Sequence, residues 1–351
     1  MSMDAHAARA LSPWMEASGP CQDVVLSSRA RLARNLAGMN FPDRLSAGEQ
    51  HALVERVGRA VAALGPGWEY YAVAKVPPVD LRVLMEKHLV SPQFLEGGVE
   101  RAVAIRQDEA TAVMVNEEDH VRIQAFAAGL DVESALETAL AVDDGLEAEL
   151  DWEVDSRRGY LTACPTNLGT GLRVSVMAHL PGLVLSESIG HLLQALAKAG
   201  VAVRGIYGEG TQALGELFQI SNQMTLGEDE QSLAEGVAQV AQQVVEQERQ
   251  ARRQLAEEHM SRIQDRVWRA KGVLENARLI SADEAIQQIS ALRLGVEMGL
   301  LKSPSYATLS ALQVVALPGF LDRTAAQDLS REGRFQLRAS LIRERLSRED
   351  G

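Results

Sequence analysis

The chain has 351 residues, of which 46% are apolar and 24% charged, a balance typical of globular proteins and a length sufficient for two domains. Its 48 acidic and 35 basic residues give a formal net charge of −13, which argues against a general nucleic-acid or membrane-surface binder. The two cysteines, Cys21 and Cys164, exclude a disulfide framework, and no spacing is typical of a zinc site. With neither a signal peptide nor an apolar run that could span a bilayer, we expect a cytoplasmic protein.

The first two thirds of the chain alternate between short β-rich runs and helical runs. Strands are predicted at 24–33, within 101–126, and at 159–164, 171–180, 201–210 and 215–225. Helices are predicted at 48–64, 132–150 and 185–200. Because several strands follow one another as hairpins, residues 1–225 are predicted to form an α+β domain, with a largely antiparallel sheet flanked by helices.

From residue 226 onward the strand signals end and helical patterns continue. Helices are predicted at 228–260, 281–301 and 334–346, with turns at Ser303–Pro304 and Pro318–Gly319. No internal repeat and no long heptad series is present. Residues 226–351 are therefore predicted to form an all-α C-terminal domain.

Several common catalytic motifs are missing from the sequence. It contains no GxxxxGK[ST] phosphate loop, no protein-kinase set of glycine-rich loop, HRD and DFG, no GxGxxG fingerprint and no HExxH. These absences exclude a P-loop enzyme and leave an unusual set of arginines and acids at predicted strand ends.

The first such motif is SSRAR at 27–31. On a strand, Ser27, Arg29 and Arg31 project from the same face. Two neighbouring guanidinium groups repel each other unless an anion lies between them, and phosphate accepts bidentate pairs well. The motif therefore predicts a phosphate site, the alternative being a solvated strand face.

The second motif is NEEDHVRIQ at 116–124. Strand alternation predicts Glu118, His120, Arg122 and Gln124 on one face. At ~3.3 Å per residue, Glu118 and Arg122 would be ~13 Å apart, too far to pair but suited to the two ends of one substrate assembly. The alternative for residues 117–119 is a hairpin turn.

Two glycine-containing loops complete the set, CPTNLGTGLR at 164–173 and RGIYGEG at 204–210. In the first, Gly169 and Gly171 are expected to let backbone N–H groups approach a ligand, which Arg173 also faces. The second is typical of a mobile loop whose Arg204 and Glu209 close over a ligand, or of a simple turn.

In order and type these four motifs resemble those of the catalytic domain of the phosphagen (guanidino) kinases, over roughly residues 20–225. Such enzymes move phosphate between ATP and a guanidinium group, so the resemblance implies ATP, with Mg²⁺ carried by it. It also implies that Glu118 and Glu209 hold the guanidinium beside the Cys164 thiolate, and that Glu118 takes the proton. The residues implied for ATP binding are Ser27, Ser28, Arg29, Ala30, Arg31, His88, Arg122, Arg173, Val174, Ser175, Val176, Met177, Arg204, Gly205, Ile206, Tyr207 and Gly208.

Only 26 residues precede Ser27, whereas phosphagen kinases carry there a helical domain that closes over the small substrate. We therefore expect the site to admit an arginine on a polypeptide. With its helical C-terminal domain, the chain resembles the bacterial protein arginine kinases, which mark proteins for Clp-type proteolysis during stress. The resemblance implies protein substrates with exposed arginines, an activator protein, a stress repressor and a Clp ATPase as partners. We also expect a homodimer, and neither nucleic acid nor a membrane as a direct partner.

In that family the C-terminal domain carries an RDxxRA motif that binds phosphoarginine. The matching run is RFQLRA at 334–339, where Phe335 replaces the aspartate. Arg334 and Arg338 lie one helical turn apart and are predicted to share a phosphate. The alternative is a basic helix face.

Two other functions remain open at this point. The first is a metabolic guanidino kinase that acts on free arginine or a related small molecule. The second is a catalytically idle adaptor, against which the intact set of acids and arginines argues.

Overall fold

The computed structural model describes residues 2–96, 100–205, 213–325 and 329–348. Its strands are β1 (Val25–Arg34), β2 (Trp68–Ala72), β3 (Ala102–Arg106), β4 (Thr111–Val115), β5 (Val121–Ala128), β6 (Val154–Asp155), β7 (Gly159–Tyr160), β8 (Leu172–His179), β9 (Val201–Gly205) and β10 (Leu217–Asn222). Its α-helices are α1 (Met3–Ala8), α2 (Ala47–Ala63), α3 (Pro78–Glu86), α4 (Val132–Glu147), α5 (Pro181–Leu185), α6 (Ile189–Lys198), α7 (Glu230–Asn276), α8 (Ala282–Glu297), α9 (Tyr306–Val315), α10 (Pro318–Ala325) and α11 (Arg331–Ser347).

Within the described residues, eight strands form one sheet in the order β2-β3-β4-β5-β1-β8-β10-β9. All neighbouring strands in it are antiparallel. A helical region follows the sheet in the chain. The predicted α+β fold with a largely antiparallel sheet and an all-α C-terminal region is confirmed.

One face of the sheet is buried under helices. Alternation along β1 and β8 turns Ala30, Leu32, Val174 and Val176 into this core, all at 0% exposure. Side chains of α2, α4, α6 and the first part of α7 complete it. The polar residues that alternate with these on β1 and β8 therefore lie on the opposite face of the sheet.

A second hydrophobic core joins the C-terminal helices to the N-terminal part of the chain. It contains residues of α7 from Leu255 onward, of α8, α9, α10 and α11, together with Val83 of α3 and the N-terminal residues Ala7 and Ala10. The first core takes α7 residues only as far as Ala251. Helix α7 thus runs through both cores, and the predicted domain boundary at residue 226 stays a prediction.

The helices differ from the expected ones in several places. Helix α7, expected to end at residue 260, continues to Asn276, and α3 and α9 were not predicted. The predicted helix at 185–200 is divided into α5 and α6, and Glu187 between them has a left-handed backbone with φ of 59°. Pro318–Gly319, predicted as a turn, begins α10. The reason lies in a distant residue, because the Glu86 carboxylate accepts hydrogen bonds from the N–H groups of Gly319 at 2.6 Å and Phe320 at 2.8 Å.

The contact between Glu86 and α10 predicts a pH-dependent stability. Burial, offset by the two N–H donors, raises the pKa of Glu86 to about 7, so the folded state binds this proton more tightly than the unfolded state. The resulting stabilisation is full below about pH 4.5 and is lost as the pH rises through about 7. We expect the Tm of wild type minus the Tm of Glu86→Gln to fall by about 2 to 4 °C from pH 5 to pH 8 in thermal unfolding, because only wild type carries the titrating carboxyl group. Glu149→Gln, at an exposed residue, is the control; a difference that stays constant with pH would contradict the prediction.

Candidate active site

The polar face of the sheet forms the floor of a cavity of about 810 Å³, within the usual range for a ligand site. Strands β1, β5 and β8 supply its centre, and the C-terminal helices supply part of its wall. The predicted site residues that line it are Ser27, Arg29, Arg31, His88, Glu118, Arg122, Cys164, Arg173, Ser175, Met177, Arg204 and Gly205.

Three arginines lie side by side on this floor. Arg31 is directly opposite Arg173 across the β1–β8 pair, and Arg29 follows two residues along β1. Arg29 donates to Ser175 Oγ at 3.4 Å and to Gln219 Oε1 at 3.0 Å, and Arg173 donates to Ser221 Oγ at 3.3 Å. In the described part of the chain, none of the three forms an ion pair with a carboxylate.

The electrostatics of these arginines are unfavourable in the absence of an anion. Burial first, and then repulsion from Arg122 and Arg173, lowers the pKa of Arg29 to about 10. Burial and the neighbouring guanidinium groups lower the pKa values of Arg31 and Arg173 as well. The Nε atoms of Arg31 and Arg173 are buried without a hydrogen-bond partner among the described residues. A polyanion with several acceptor oxygens would satisfy both the charges and the donors.

Arg122 behaves differently, because two acids hold it. Its Nη1 lies 2.6 Å from Glu117 Oε2 and its Nη2 lies 3.0 Å from Glu118 Oε2. The expectation that Glu118 and Arg122 are ~13 Å apart is wrong, and the hairpin-turn alternative is correct. The chain leaves β4 at Asn116, whose φ is 57°, and enters β5 only at Val121, so residues 117–120 turn back over the strand.

The same turn removes His120 from the predicted polar face. His120 is fully buried, its Nδ1 accepts a hydrogen bond from the Leu36 N–H at 3.0 Å, and its Nε2 lies 2.7 Å from the Asn40 carbonyl. Gln124 is on the expected face and donates to the carbonyl of His88 at 3.0 Å. Burial and the charge of Arg29 lower the pKa of His88 to about 4, so this imidazole is neutral at pH 7.

The cysteine loop is fixed to the turn that carries Glu118. Asp119 Oδ1 accepts a hydrogen bond from the Ala163 N–H at 2.7 Å, immediately before Cys164 in the chain. Cys164 Sγ lies 3.1 Å from Thr166 Oγ1. Gly171 has a φ of 66°, and a Cβ there would lie 2.6 Å from the Ala33 carbonyl oxygen. The glycine is thus required for close packing of the loop on β1, a reason different from the expected approach of N–H groups to a ligand.

Some predicted site residues do not reach the cavity. The side chains of Ser28, Ala30, Val174 and Val176 face the core side of the sheet, and Ser28 Oγ donates to the Gly129 carbonyl at 2.9 Å. Four further residues lie outside the described ones, namely Ile206, Tyr207, Gly208 and Glu209. The functional roles given to all site residues stay predictions.

Three polar residues that contact the arginines were not predicted from the sequence. Glu117 holds Arg122, and Gln219 and Ser221 hold Arg29 and Arg173. The polar alternation of Gln219 and Ser221 along β10 was a usable signal, since both lie on one face of the strand. Nothing in the NEED run distinguishes Glu117 from Glu118 before the turn is known.

The two arginines predicted to bind phosphoarginine already have partners. Arg334 Nε lies 2.7 Å from Asp322 Oδ1. Arg338 is buried, and its guanidinium donates to the carbonyls of Ala316 at 2.7 Å and Ile280 at 2.9 Å. A phosphate would have to compete with these contacts, and the phosphoarginine assignment stays a prediction.

Among the described residues, no group of three His, Cys, Asp or Glu side chains could hold a metal ion. No helix in those segments combines the length and apolarity needed to cross a bilayer.

Comparison with known proteins agrees with this geometry. Residues 52–251 match the family ATP:guanido phosphotransferase, C-terminal catalytic domain, and residues 260–351 match the Protein-arginine kinase McsB C-terminal domain. The chain is 45% identical to the protein-arginine kinase of Halalkalibacterium halodurans, over 100% of this chain and 99% of that protein. It is 47% identical to that of Symbiobacterium thermophilum, over 97% and 98%.

Among solved structures, the chain is similar to the duplicated taurocyamine kinase from Schistosoma mansoni with bound transition state analog components, with a TM-score of 0.58 and 26% identity. That match covers 64% of this chain and about a third (33%) of the taurocyamine kinase chain. Lombricine kinase shares the fold, with a TM-score of 0.57 and 24% identity over 65% of this chain and 67% of its own. The family matches and the near full-length identities lead to one conclusion: the chain belongs to the protein-arginine kinases, enzymes built on an ATP:guanido phosphotransferase domain.

Proposed function

We propose that this kinase transfers the γ-phosphate of ATP to the guanidinium groups of arginine residues in proteins. The observation that carries the proposal is the group Arg29, Arg31 and Arg173, three adjacent cations without a carboxylate partner in the described segments. Next to them stand a carboxylate and a thiol, Glu118 and Cys164, on the same cavity. A triphosphate fits the first group, and a guanidinium fits the second.

In the proposed mechanism, Arg29, Arg31 and Arg173 bind the phosphates and neutralise charge as the γ-phosphoryl group moves through a loose transition state. Mg²⁺ would arrive bound to the ATP phosphates and would add to this neutralisation of charge. The bond between the γ-phosphorus and the bridging oxygen of ADP breaks as a guanidinium nitrogen bonds to phosphorus. The displaced guanidinium proton passes to the Glu118 carboxylate.

The different burial of the two acids supports this assignment of the base. The Glu117 side chain is 2% exposed and remains with Arg122, whereas that of Glu118 is 44% exposed and can exchange Arg122 for a substrate guanidinium. Cys164 contributes orientation and charge beside the acceptor rather than a covalent intermediate. Glu209, outside the described residues, is proposed as the second carboxylate on the guanidinium.

The acceptor is proposed to be a protein arginine, on the strength of relatives named protein-arginine kinases that match nearly the whole chain. The alternative, a metabolic guanidino kinase acting on free arginine or a related small molecule, is supported only by the weaker match to the taurocyamine kinase, at 26% identity over 64% of this chain. An idle adaptor disagrees with the membership of an enzyme family.

The test uses Mg-ATP and an arginine-rich protein such as a histone or protamine. We expect acid-labile phosphate on arginine, identified by mass spectrometry under neutral conditions. Phosphate found only on free L-arginine, supplied in a parallel reaction, or only on Ser, Thr or Tyr, would refute the proposal.

The wider role is proposed from the family resemblance alone. The phosphorylated proteins are marked for Clp-type proteolysis in the stress response of the cytoplasm. An activator protein, a stress repressor and a Clp ATPase are the expected partners, and the enzyme is a homodimer. Arg334 and Arg338 bind phosphoarginine after exchanging their present partners.

A further inference from the structure

The register of the central strands arranges the charged and neutral residues of the cavity in a fixed order along the strands. Neighbouring residues on the cavity face of β5, β1 and β8 form four successive rows. In order, these rows are Arg122–Ala33–Gly171, Gln124–Arg31–Arg173, Phe126–Arg29–Ser175 and Ala128–Ser27–Met177. The first row adjoins Glu118, the next two carry the unpaired cations, and the fourth is neutral. A ligand with its phosphates on the middle rows therefore extends its uncharged end over Ser27 and Met177, away from the acceptor carboxylate.

The C-terminal region also lines the cavity, and Arg293 of α8 joins it to Gln22, which precedes β1 at the end that carries Ser27 of the neutral row. Five side chains of α9 and the residues just after it line the cavity, Tyr306, Ser310, Gln313, Val314 and Leu317. Their spacing of four, three, one and three residues places them on one face of the helix. This face combines apolar surface with hydroxyl and amide groups, which suits a flat heterocycle that also offers hydrogen-bonding edges.

Two polar side chains of this face have no hydrogen-bond partner among the described residues. Ser310 and Gln313 are half-buried, and neither side chain forms a hydrogen bond there. Arg293 of α8 lines the same end, is 1% exposed, and uses Nε on Glu297 at 2.7 Å and Nη2 on the Gln22 carbonyl at 3.1 Å. Its Nη1 is buried without a partner among the described residues, as is Nε1 of Trp14, which also lines the cavity. Buried donors without acceptors are costly and indicate that a ligand completes them.

The charge at this end excludes a second phosphate site. Arg293, the cation there, is neutralised by Glu297, and its guanidinium lies 5.1 Å from the Tyr306 ring centroid. Trp14 stacks on Phe126 of the third row, with ring centroids 5.2 Å apart and an angle of 10°. Glu86 also lines the cavity, but its carboxylate is held by the N–H groups of Gly319 and Phe320. The remaining surroundings are neutral, aromatic and rich in donors, which suits a purine nucleoside.

We propose that α9 of the C-terminal region completes the nucleoside subsite for ATP, with Gln313 reading the edge of the adenine base and Ser310 beside it. This inference rests on the proposed function, since it takes ATP as the phosphate donor. A glutamine amide offers one donor and one acceptor in a plane. The N6/N7 edge of adenine complements this pattern, whereas the O6/N7 edge of guanine offers two acceptors and does not. The C-terminal helices thus take part in nucleotide selection together with the neutral row of the sheet.

The test measures nucleotide affinity directly by isothermal titration calorimetry on the full chain, so it does not depend on arginine phosphorylation. We expect Gln313→Leu to raise the Kd for ATP roughly three- to tenfold and to reduce the preference for ATP over GTP. The Kd for inorganic tripolyphosphate, which engages only the arginines, should stay unchanged. Gln287→Leu, at an exposed residue of α8, is the matched control.

A second variant covers the case in which the loss of one hydrogen bond changes the Kd for ATP too little to be measured. Ser310→Trp places a bulky ring on the same helix face and should weaken ATP much more than tripolyphosphate. Equal weakening of both ligands in either variant, or unchanged ATP affinity in both variants, would overturn the inference. If wild type binds ATP with the expected selectivity but phosphorylates no protein arginine, the proposed function fails while this subsite stands.

Discussion

Replacing Glu118 by glutamine should lower the rate of arginine phosphorylation by about 100-fold or more while ATP still binds. The amide keeps the shape of the side chain but takes no proton as the guanidinium nitrogen attacks phosphorus, and general-base catalysis commonly contributes ~10²–10⁴. ATP binding should survive because Arg122 keeps Glu117, at 2.6 Å, as its buried partner. The measurement is single-turnover phosphorylation of an arginine-rich protein, with the Kd for ATP determined separately.

Two further variants make this experiment decisive. Glu149→Gln alters an exposed carboxylate and should leave the rate unchanged. Glu117→Gln removes a buried partner of Arg122, so it should raise the Kd for ATP as well as slow the reaction. A Glu118→Gln enzyme with a wild-type rate would show that the base is another residue.

The sequence predicted the fold class well because the strand signals are local. Alternation along β1 and β8 is visible in the sequence and corresponds to a real division between a core face and a polar face. The helix at Pro318 was not predictable in this way, because its N-terminus is satisfied by Glu86, more than two hundred residues earlier in the chain.

The site was predicted in its residue types but not in all its distances. Arg29 and Arg31 were expected on one face of a strand and Arg173 was expected to face a ligand, and the structure brings Arg31 opposite Arg173. Their adjacency across two strands depends on sheet register, which no local pattern gives. The predicted position of Glu118 was wrong, because the strand was assumed to continue through residues 117–120, which form a turn between β4 and β5.

Replacing Arg31 by methionine should make the ligand-free protein more stable and abolish ATP binding. Arg31 has no hydrogen-bond or ion-pair partner in the described segments, and its pKa lies well below the usual value because of burial and the neighbouring arginines. Its folded-state pKa is depressed, so the charge carried at pH 7 opposes folding. Methionine keeps the aliphatic packing and removes that repulsion. We expect Tm without nucleotide to rise by about 2 °C, equivalent to about 1 kcal/mol.

The response to ATP should change in the opposite sense. A ligand at 100 times its Kd stabilises the folded state by about 2.7 kcal/mol, so wild type should show a clear rise in Tm on addition of Mg-ATP. In Arg31→Met this rise should disappear. Arg253→Met, at an exposed arginine of α7, should leave both values unchanged.

Arg31→Lys separates charge from geometry. Lysine restores the repulsion with Arg29 and Arg173, so Tm without nucleotide should return close to wild type. It offers a point charge instead of a planar fork, so the ATP-induced rise in Tm should be only partly recovered.

An Arg31→Met protein that still gains the full stabilisation from ATP would mean that the phosphates bind elsewhere. A variant that is less stable without nucleotide would mean that Arg31 has a structural partner. The combination of greater stability and lost binding distinguishes a cation held ready for a polyanion from one that supports the fold.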